Sequence, residues 1–211
     1  GFSEIMKEQA LGAMDNERYL GYAADIYNSG EHLLGIINDI LDLSKVEAGG
    51  QELHLEIFDV GDVVEDCLNL VRGRAAQAGV VLRSDVDLPA SMVNADRLRT
   101  KQILLNLLTN AIKFSDTGGL VEISVRLSPA NNIEFRISDC GVGIAADDLH
   151  RVLQPFGQAS DPHVRNQEGI GLGLPLSKVL AELHGGSLEI ESQPGIGTTV
   201  TVWYPEERLA Y

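Results

Sequence analysis

Three short segments, occurring in a fixed order, constrain this chain more than any other feature. They are Asn106-Leu-Leu-Thr-Asn110-Ala-Ile-Lys113-Phe114, Asp139-Cys-Gly141-Val-Gly143 and Gly169-Ile-Gly171-Leu-Gly173-Leu174. The first places two amides and an ammonium on one face of a helix, because residues three and four apart are neighbours there. Leu104, Leu105, Leu107, Leu108 and Ala111 surround the asparagines, and polar groups on a mostly buried helix need partners. The second sets a carboxylate at the end of an alternating strand (Ile133, Phe135, Ile137), beside a flexible turn. The third is a glycine run opening a helix, whose bare N–H groups and dipole suit phosphate oxygens. Amide oxygens suit Mg²⁺, which keeps some of its waters and takes further ligands from phosphates. A rigidly held carboxylate in an apolar pocket suits an exocyclic amine, since an unpaired buried carboxylate is costly. Together the segments imply a pocket for a purine nucleoside triphosphate and its metal.

In that order the segments resemble the N, G1 and G2 boxes of bacterial sensor histidine kinases. That family belongs to the wider ATPase group that includes gyrase, the Hsp90 chaperones and the MutL repair proteins. Phe156-Gly157-Gln158 is similar to the family's F box, and Gly195-Ile-Gly197-Thr198-Thr199 to its last glycine motif. The resemblance covers essentially the whole chain. It implies Asn110 as the principal Mg²⁺ ligand with Asn106 close by, Lys113 on a phosphate, and Asp139 accepting the adenine amino group. Gly141 and Gly143 would let the backbone approach the base, with Thr199 as a supporting contact near it. Gly169, Gly171, Gly173 and Leu174 would open onto the phosphates. Residues 158–167 would form a lid over the triphosphate, with Phe156 anchoring its base; His163 and Arg165 within it read as solvated loop residues. The implied cofactors are ATP and Mg²⁺.

Competing nucleotide folds are disfavoured. A dinucleotide fingerprint needs glycine where Leu174 stands, and a Walker A loop occurs nowhere in the chain. A net charge of −15 argues against a nucleic-acid surface, which needs clustered Lys and Arg. No apolar run approaches the ~20 residues that cross a bilayer. The start, Gly1-Phe-Ser-Glu-Ile-Met-Lys-Glu, lacks the layout of a signal peptide. Two isolated cysteines, Cys67 and Cys140, make neither a disulfide framework nor a metal knuckle, which points to a reducing compartment. The expectation is a soluble, cytoplasmic segment without membrane contact, whose longer parent can still be membrane-anchored. Cys140 stands where the family often has a small polar residue, and reads as an inert, half-buried cysteine.

The expected fold class is α+β: a helical hairpin over residues 1–50, half of a four-helix bundle, then a two-layer α/β sandwich over residues 51–211. A first helix spans about Phe2 to Leu11, breaking around Gly12 and Met14-Asp15-Asn16. A second spans about Glu17 to Glu47, carrying Ile26, Leu33, Ile37 and Ile40 on one stripe that Leu34, Leu41, Ile36 and Leu43 widen. So broad a face implies a bundle completed by a second copy of the chain. Gly49-Gly50 ends that helix. Leu53 to Phe58 alternates like a strand, and Val60 to Gln77 is an amphipathic helix. Further strands fall at Val80–Val86, Met92-Val93, Leu120–Leu127 and Ile133–Asp139, the last two joined through Pro129–Asn132. Asp96 can N-cap a helix running to about Phe114. A short helix follows near Asp147, then an irregular stretch from Pro155 to Glu168 and a helix from Ile170 to Leu183. Ser187–Ser192 and Thr198–Tyr204 pair across Pro194-Gly195, and the grouped strands are expected to be antiparallel.

The family's phospho-acceptor lies in a stretch of the type Ser-His-Glu-Leu-Arg-Thr-Pro-Leu, which is absent from this chain. The resemblance puts the acceptor roughly three turns upstream of Gly1. Ser44-Lys45-Val-Glu47-Ala-Gly49 matches the family's usual end of the second bundle helix. His32 reads as a helix-surface residue, His54 as a strand residue, His150 and His163 as neighbours of the lid, and His184 as a helix-end residue. The expected parent is a two-component sensor kinase that passes the phosphoryl group to a response-regulator receiver domain and dimerises through its helices. An ATP-binding scaffold or pseudokinase is the main alternative. An ATP-hydrolysing switch of the gyrase or chaperone type fits less well with the long second helix.

Overall fold

A computed structural model describes residues 2–10, 12, 13, 17–47, 52–88, 92–159 and 170–210. Leu11, the Met14-Asp15-Asn16 break and the Gly49-Gly50 helix end lie outside the described residues. The chain divides into two compact units, Gly1–Lys45 and Val46–Tyr211.

The first unit holds α1 (Phe2–Lys7) and α2 (Glu17–Glu47), so the first helix is shorter than its periodicity suggests. It contributes no buried residue. Lys7 Nζ lies 4.0 Å over the Tyr27 ring of α2, a cation–π contact between the two helices. On α2 only Ala23 and Leu43 are buried among its described side chains. The predicted stripe is present but open: Ile26, Leu33, Leu34, Ile37, Ile40 and Leu41 are between 38% and 60% exposed.

The second unit is a sandwich. Its elements are β1 (Glu56–Asp59), α3 (Val60–Ala78), β2 (Val81–Asp87), β3 (Met92–Ala95), α4 (Arg97–Phe114), β4 (Leu120–Leu127), β5 (Ile133–Asp139), α5 (Ala146–Val152), α6 (Gly173–Leu183), β6 (Ser187–Gln193) and β7 (Gly197–Tyr204). Five strands form a sheet in the order β2-β4-β5-β7-β6, and β1 pairs with β3 in a separate two-stranded sheet. All pairs are antiparallel except β2–β4, which run parallel because β3 and α4 carry the chain back across between them. That pair departs from the antiparallel expectation.

Strand alternation sends Ile133, Phe135 and Ile137 of β5 to the same face as their partners Tyr204, Val202 and Val200 of β7. Against that face pack α3, α4 and α6, burying Val63, Val64, Ile103, Leu104, Leu107, Leu108, Leu176 and Leu180 in one apolar core. The ends of α4 are specified locally and at long range. Asp96 caps it as expected, its Oδ1 accepting the Arg99 N–H at 3.0 Å. The Asp96 backbone N–H donates to His184 Nε2 at 3.1 Å, while His184 Nδ1 lies 2.7 Å from the Leu180 carbonyl oxygen. Each ring nitrogen thus has its own role in the neutral tautomer, with Nδ1–H donating. Fully buried, the ring stacks on Tyr204 at 4.5 Å. Burial pushes its pKa down. His184 is therefore the clasp between the end of α6 and the start of α4.

Candidate functional site

Helix α4, the end of β5, the turn after it, the segment after α5 and the start of α6 surround one cleft. It measures about 930 Å³ including its open mouth, and its walls include Asn110, Lys113, Phe114, Asp139, Gly143, Gly171 and Leu174. The floor is apolar: Leu107, Ile137 and Val200 reach it from the core. A largely apolar cleft with a few convergent polar groups is the general form of a small-molecule site.

Asp139 lines this cleft at the end of β5. Its Oδ1 accepts the Gly141 N–H at 2.9 Å and the Thr198 N–H at 3.2 Å. Burial pushes its pKa up, and those two backbone donors pull against the shift. With Oδ1 engaged by the protein, Oδ2 is the oxygen available to a ligand. The turn that follows is fixed by close backbone packing. A Cβ on Gly141 would lie 2.0 Å from the Phe114 carbonyl oxygen, and one on Gly143 would lie 2.0 Å from that of Gln193. Gly143 also takes a φ of +69°, the left-handed region that favours glycine. These glycines therefore let protein backbones approach one another, and Gly143 also lines the cleft. Ser192 Oγ braces the same turn, accepting the Ile144 N–H at 2.7 Å and donating to the Gly197 carbonyl at 2.9 Å.

Across the cleft, Asn110 and Lys113 line the wall one turn apart, and Lys113 Nζ lies 4.5 Å over the Phe114 ring. Asn106 sits one turn back on α4 and does not line the cleft. Its amide nitrogen is buried without a hydrogen-bond partner. Both asparagines lie under the start of α6, since a Cβ on Gly173 would be 3.7 Å from Asn106 Cγ and 3.7 Å from Asn110 Nδ2. The sequence thus brings the first and third segments together as expected.

Four details correct the sequence reading. Helix α6 begins at Gly173 rather than Ile170, because Gly171 is left-handed at φ +76° and its carbonyl accepts the Phe156 N–H at 3.0 Å. The helix N-terminus is accordingly set by Gly173 and Leu174. Beyond that backbone bond Phe156 makes no contribution to the cleft wall: its side chain is 59% exposed and does not line the cleft. Thr199 pairs with Ser138, and alternation turns its side chain to the sheet face opposite Val200; Thr198, one residue earlier, lines the cleft instead. Counting back by twos from buried Val202 and Val200 would have found it. Cys140 is exposed rather than half-buried. Gly169, most of the expected lid, His163 and Arg165 lie outside the described residues. At the near edge of that segment, Arg151 Nε donates to the Gln158 carbonyl at 2.6 Å, bracing the wall formed by Gly157, Gln158 and Ala159.

Known proteins share this fold. Residues 95–208 match the family model described as histidine kinase-, DNA gyrase B-, and HSP90-like ATPase. The chain is 46% identical over 209 residues to the non-motile and phage-resistance protein of Caulobacter vibrioides, covering 97% of this chain and 25% of that protein. It is 43% identical over 205 residues to the histidine protein kinase DivJ of the same organism, covering 97% of this chain and 34% of DivJ. The chain thus spans about a quarter to a third of these curated relatives. Among solved structures, full-length ShkA in complex with AMPPNP superimposes with a TM-score of 0.81 at 26% identity, covering 99% of this chain and 42% of ShkA. The matched model spans more than half of the sequence and takes in α4, Asp139 and the start of α6, so the chain belongs to the histidine kinase-, DNA gyrase B- and HSP90-like ATPase family.

Proposed function

We infer that the cleft binds Mg·ATP and that the chain is the dimerisation and catalytic core of a two-component sensor histidine kinase. The observation that carries this reading is the convergence of Asn110, Lys113, Asp139 and the opening of α6 on one apolar cleft. Asp139 would accept the adenine amino group through Oδ2, with Thr198 beside it. The start of α6 would receive phosphate oxygens on its N-terminal N–H groups, and Lys113 would add a positive charge. Asn106 and Asn110 fit a Mg²⁺ ion in donor type: each carries an amide oxygen, the ligand Mg²⁺ takes, and the two lie one turn apart under Gly173, with Asn110 on the cleft wall. Among the described residues no cluster of His, Cys, Asp and Glu would compete for a metal. When bound, the ion would offset charge on the triphosphate.

The phosphoryl acceptor in this reading is a histidine outside this chain. His184 is buried with both ring nitrogens engaged, and His150 Nδ1 lies 3.2 Å from the Gln154 side-chain nitrogen. The group would pass on to an aspartate of a response-regulator receiver domain, and the open stripe on α2 would be covered by a second copy of the chain. Among the described residues no helix is long and apolar enough to cross a membrane. Together with the free thiols of Cys67 and Cys140, that suits work on the cytoplasmic side.

Calorimetric titration with Mg²⁺ and a non-hydrolysable ATP analogue tests the site. Asp139→Asn and Asn110→Ala are each expected to weaken binding by about 100-fold, the loss of a charge-assisted contact or a metal ligand. Asp139→Asn should not lower the unfolding midpoint of the ligand-free protein at neutral pH, because the raised carboxylate pKa means that the charged form costs stability there. Affinities equal to wild type would remove both residues from the site. Labelled ATP incubated with the longer parent protein tests the transfer. An acid-labile, base-stable label supports the kinase, whereas no label supports an ATP-binding scaffold.

A further inference from the structure

Two buried side-chain polar atoms among the described residues have no hydrogen-bond partner: Asn106 Nδ2 on α4 and Ser177 Oγ on α6. Ser177 is fully buried. Unpaired buried polar atoms are rare and costly, so two on facing helices call for one explanation.

The packing of α4 and α6 supplies it. The end of α6 meets the start of α4 through the His184–Asp96 bond, and the start of α6 lies over Asn106 and Asn110. The two helices therefore run antiparallel. Residues 173, 177, 180 and 184 form one stripe at helical spacing, and both ends of that stripe touch α4. Ser177 lies one turn after Gly173, and Asn106 one turn before Asn110. Side chains on a helix lean toward its N-terminus, so in an antiparallel pair these two lean toward each other.

We propose that Ser177 is the positioning residue of Asn106, its hydroxyl holding the Asn106 amide nitrogen through one bridging water. A water between these two buried atoms would have the Asn106 amide as donor on one side and the Ser177 hydroxyl on the other, the two polar partners such a water needs at least. Commitment of Nδ2 in this way leaves the amide oxygen, the only end of the group that can ligate Mg²⁺, free for the metal. The inference rests on the metal-binding reading above and adds a residue that no box motif contains.

Two measurements test it on the chain as it stands. In the nucleotide-free, metal-free wild type, the Asn106 side-chain amide protons should exchange slowly with solvent and show a cross-peak to a long-lived water by NMR. Fast exchange, with no such cross-peak, overturns the bridge. In Ser177→Ala, the Mg²⁺ concentration giving half-maximal binding of an ATP analogue should rise about tenfold, with binding in EDTA unchanged. Ser177→Thr, which keeps the hydroxyl, should restore the wild-type midpoint. An unchanged Mg²⁺ midpoint in Ser177→Ala, or equal weakening with and without Mg²⁺, overturns the positioning role. If wild-type binding is indifferent to Mg²⁺ while the water cross-peak is present, the metal assignment fails and the structural bridge survives.

Discussion

The two units of this chain bury their apolar residues very differently. In the sandwich, α3, α4 and α6 close on the sheet, and residues such as Leu108, Ile123 and Leu180 have no exposed surface. In the helical unit, α1 buries nothing, and the broadest apolar face of α2 stands open. One unit covers its apolar faces within itself, while the other leaves a stripe uncovered among the described residues. The difference teaches that one sequence can encode a fold that covers its own apolar surface and a helix that leaves an apolar stripe open. Periodicity alone distinguishes a buried face from a waiting one poorly.

The largest expected effect attacks the complete unit. Leu108→Ala removes a fully buried side chain from the middle of α4 and should cost about 3 kcal/mol in urea unfolding of the sandwich. A loss below about 1 kcal/mol would mean that the core is far looser than its burial implies. Next comes the unfinished face. Ile37→Glu puts a charge in the stripe and should shift the chain from dimer to monomer by light scattering, weakening association by about 2 kcal/mol or more. The unfolding midpoint of the sandwich should stay where it was; a monomeric wild type would remove the contrast.

A smaller effect comes from the His184 clasp. Its pKa is lowered by burial from the ordinary 6.5, so the folded state holds it neutral while the unfolded chain takes up a proton below that pH. The stability it contributes is present above about pH 6.5 and is lost as pH falls toward the lower folded value, at up to about 1.4 kcal/mol per pH unit. Urea unfolding across this range should show a shallower slope for His184→Gln than for wild type, and parallel slopes would refute the assignment. Smallest of all, Arg97→Ala breaks a half-exposed pair with Asp66 at 3.0 Å and should change stability by no more than about 1 kcal/mol.

Much of the sandwich was legible because its signals are local. Asp96 caps α4 as its position suggests, and β4 and β5 fall where alternating apolar residues begin and end. The cleft was legible for the same reason: Asn110, Lys113 and Asp139 sit on elements with clear periods. What escaped reading depends on tertiary contacts. The first turn of α6 gives way to a left-handed Gly171 whose carbonyl bonds Phe156, and nothing near Ile170 announces this. The parallel β2–β4 pair follows from how α4 crosses the sheet, which no strand pattern records. His184 looked like an unremarkable helix end because its partners, Asp96 and Tyr204, lie far from it in sequence. Thr198 and Thr199 differ only in which way one strand faces, and a register error of one residue exchanges them.

The clasp at His184 also bears on mechanics. Because a buried, hydrogen-bonded ring pins the far end of α6 to α4, a rigid-body tilt of the helix would pivot about residue 184. Sliding would break the ring's stack and its bond to Asp96 together, whereas a small tilt would spare both. Such a tilt would be felt most at Gly173, where the backbone bond from Phe156 to the Gly171 carbonyl and the buried Leu176 oppose it.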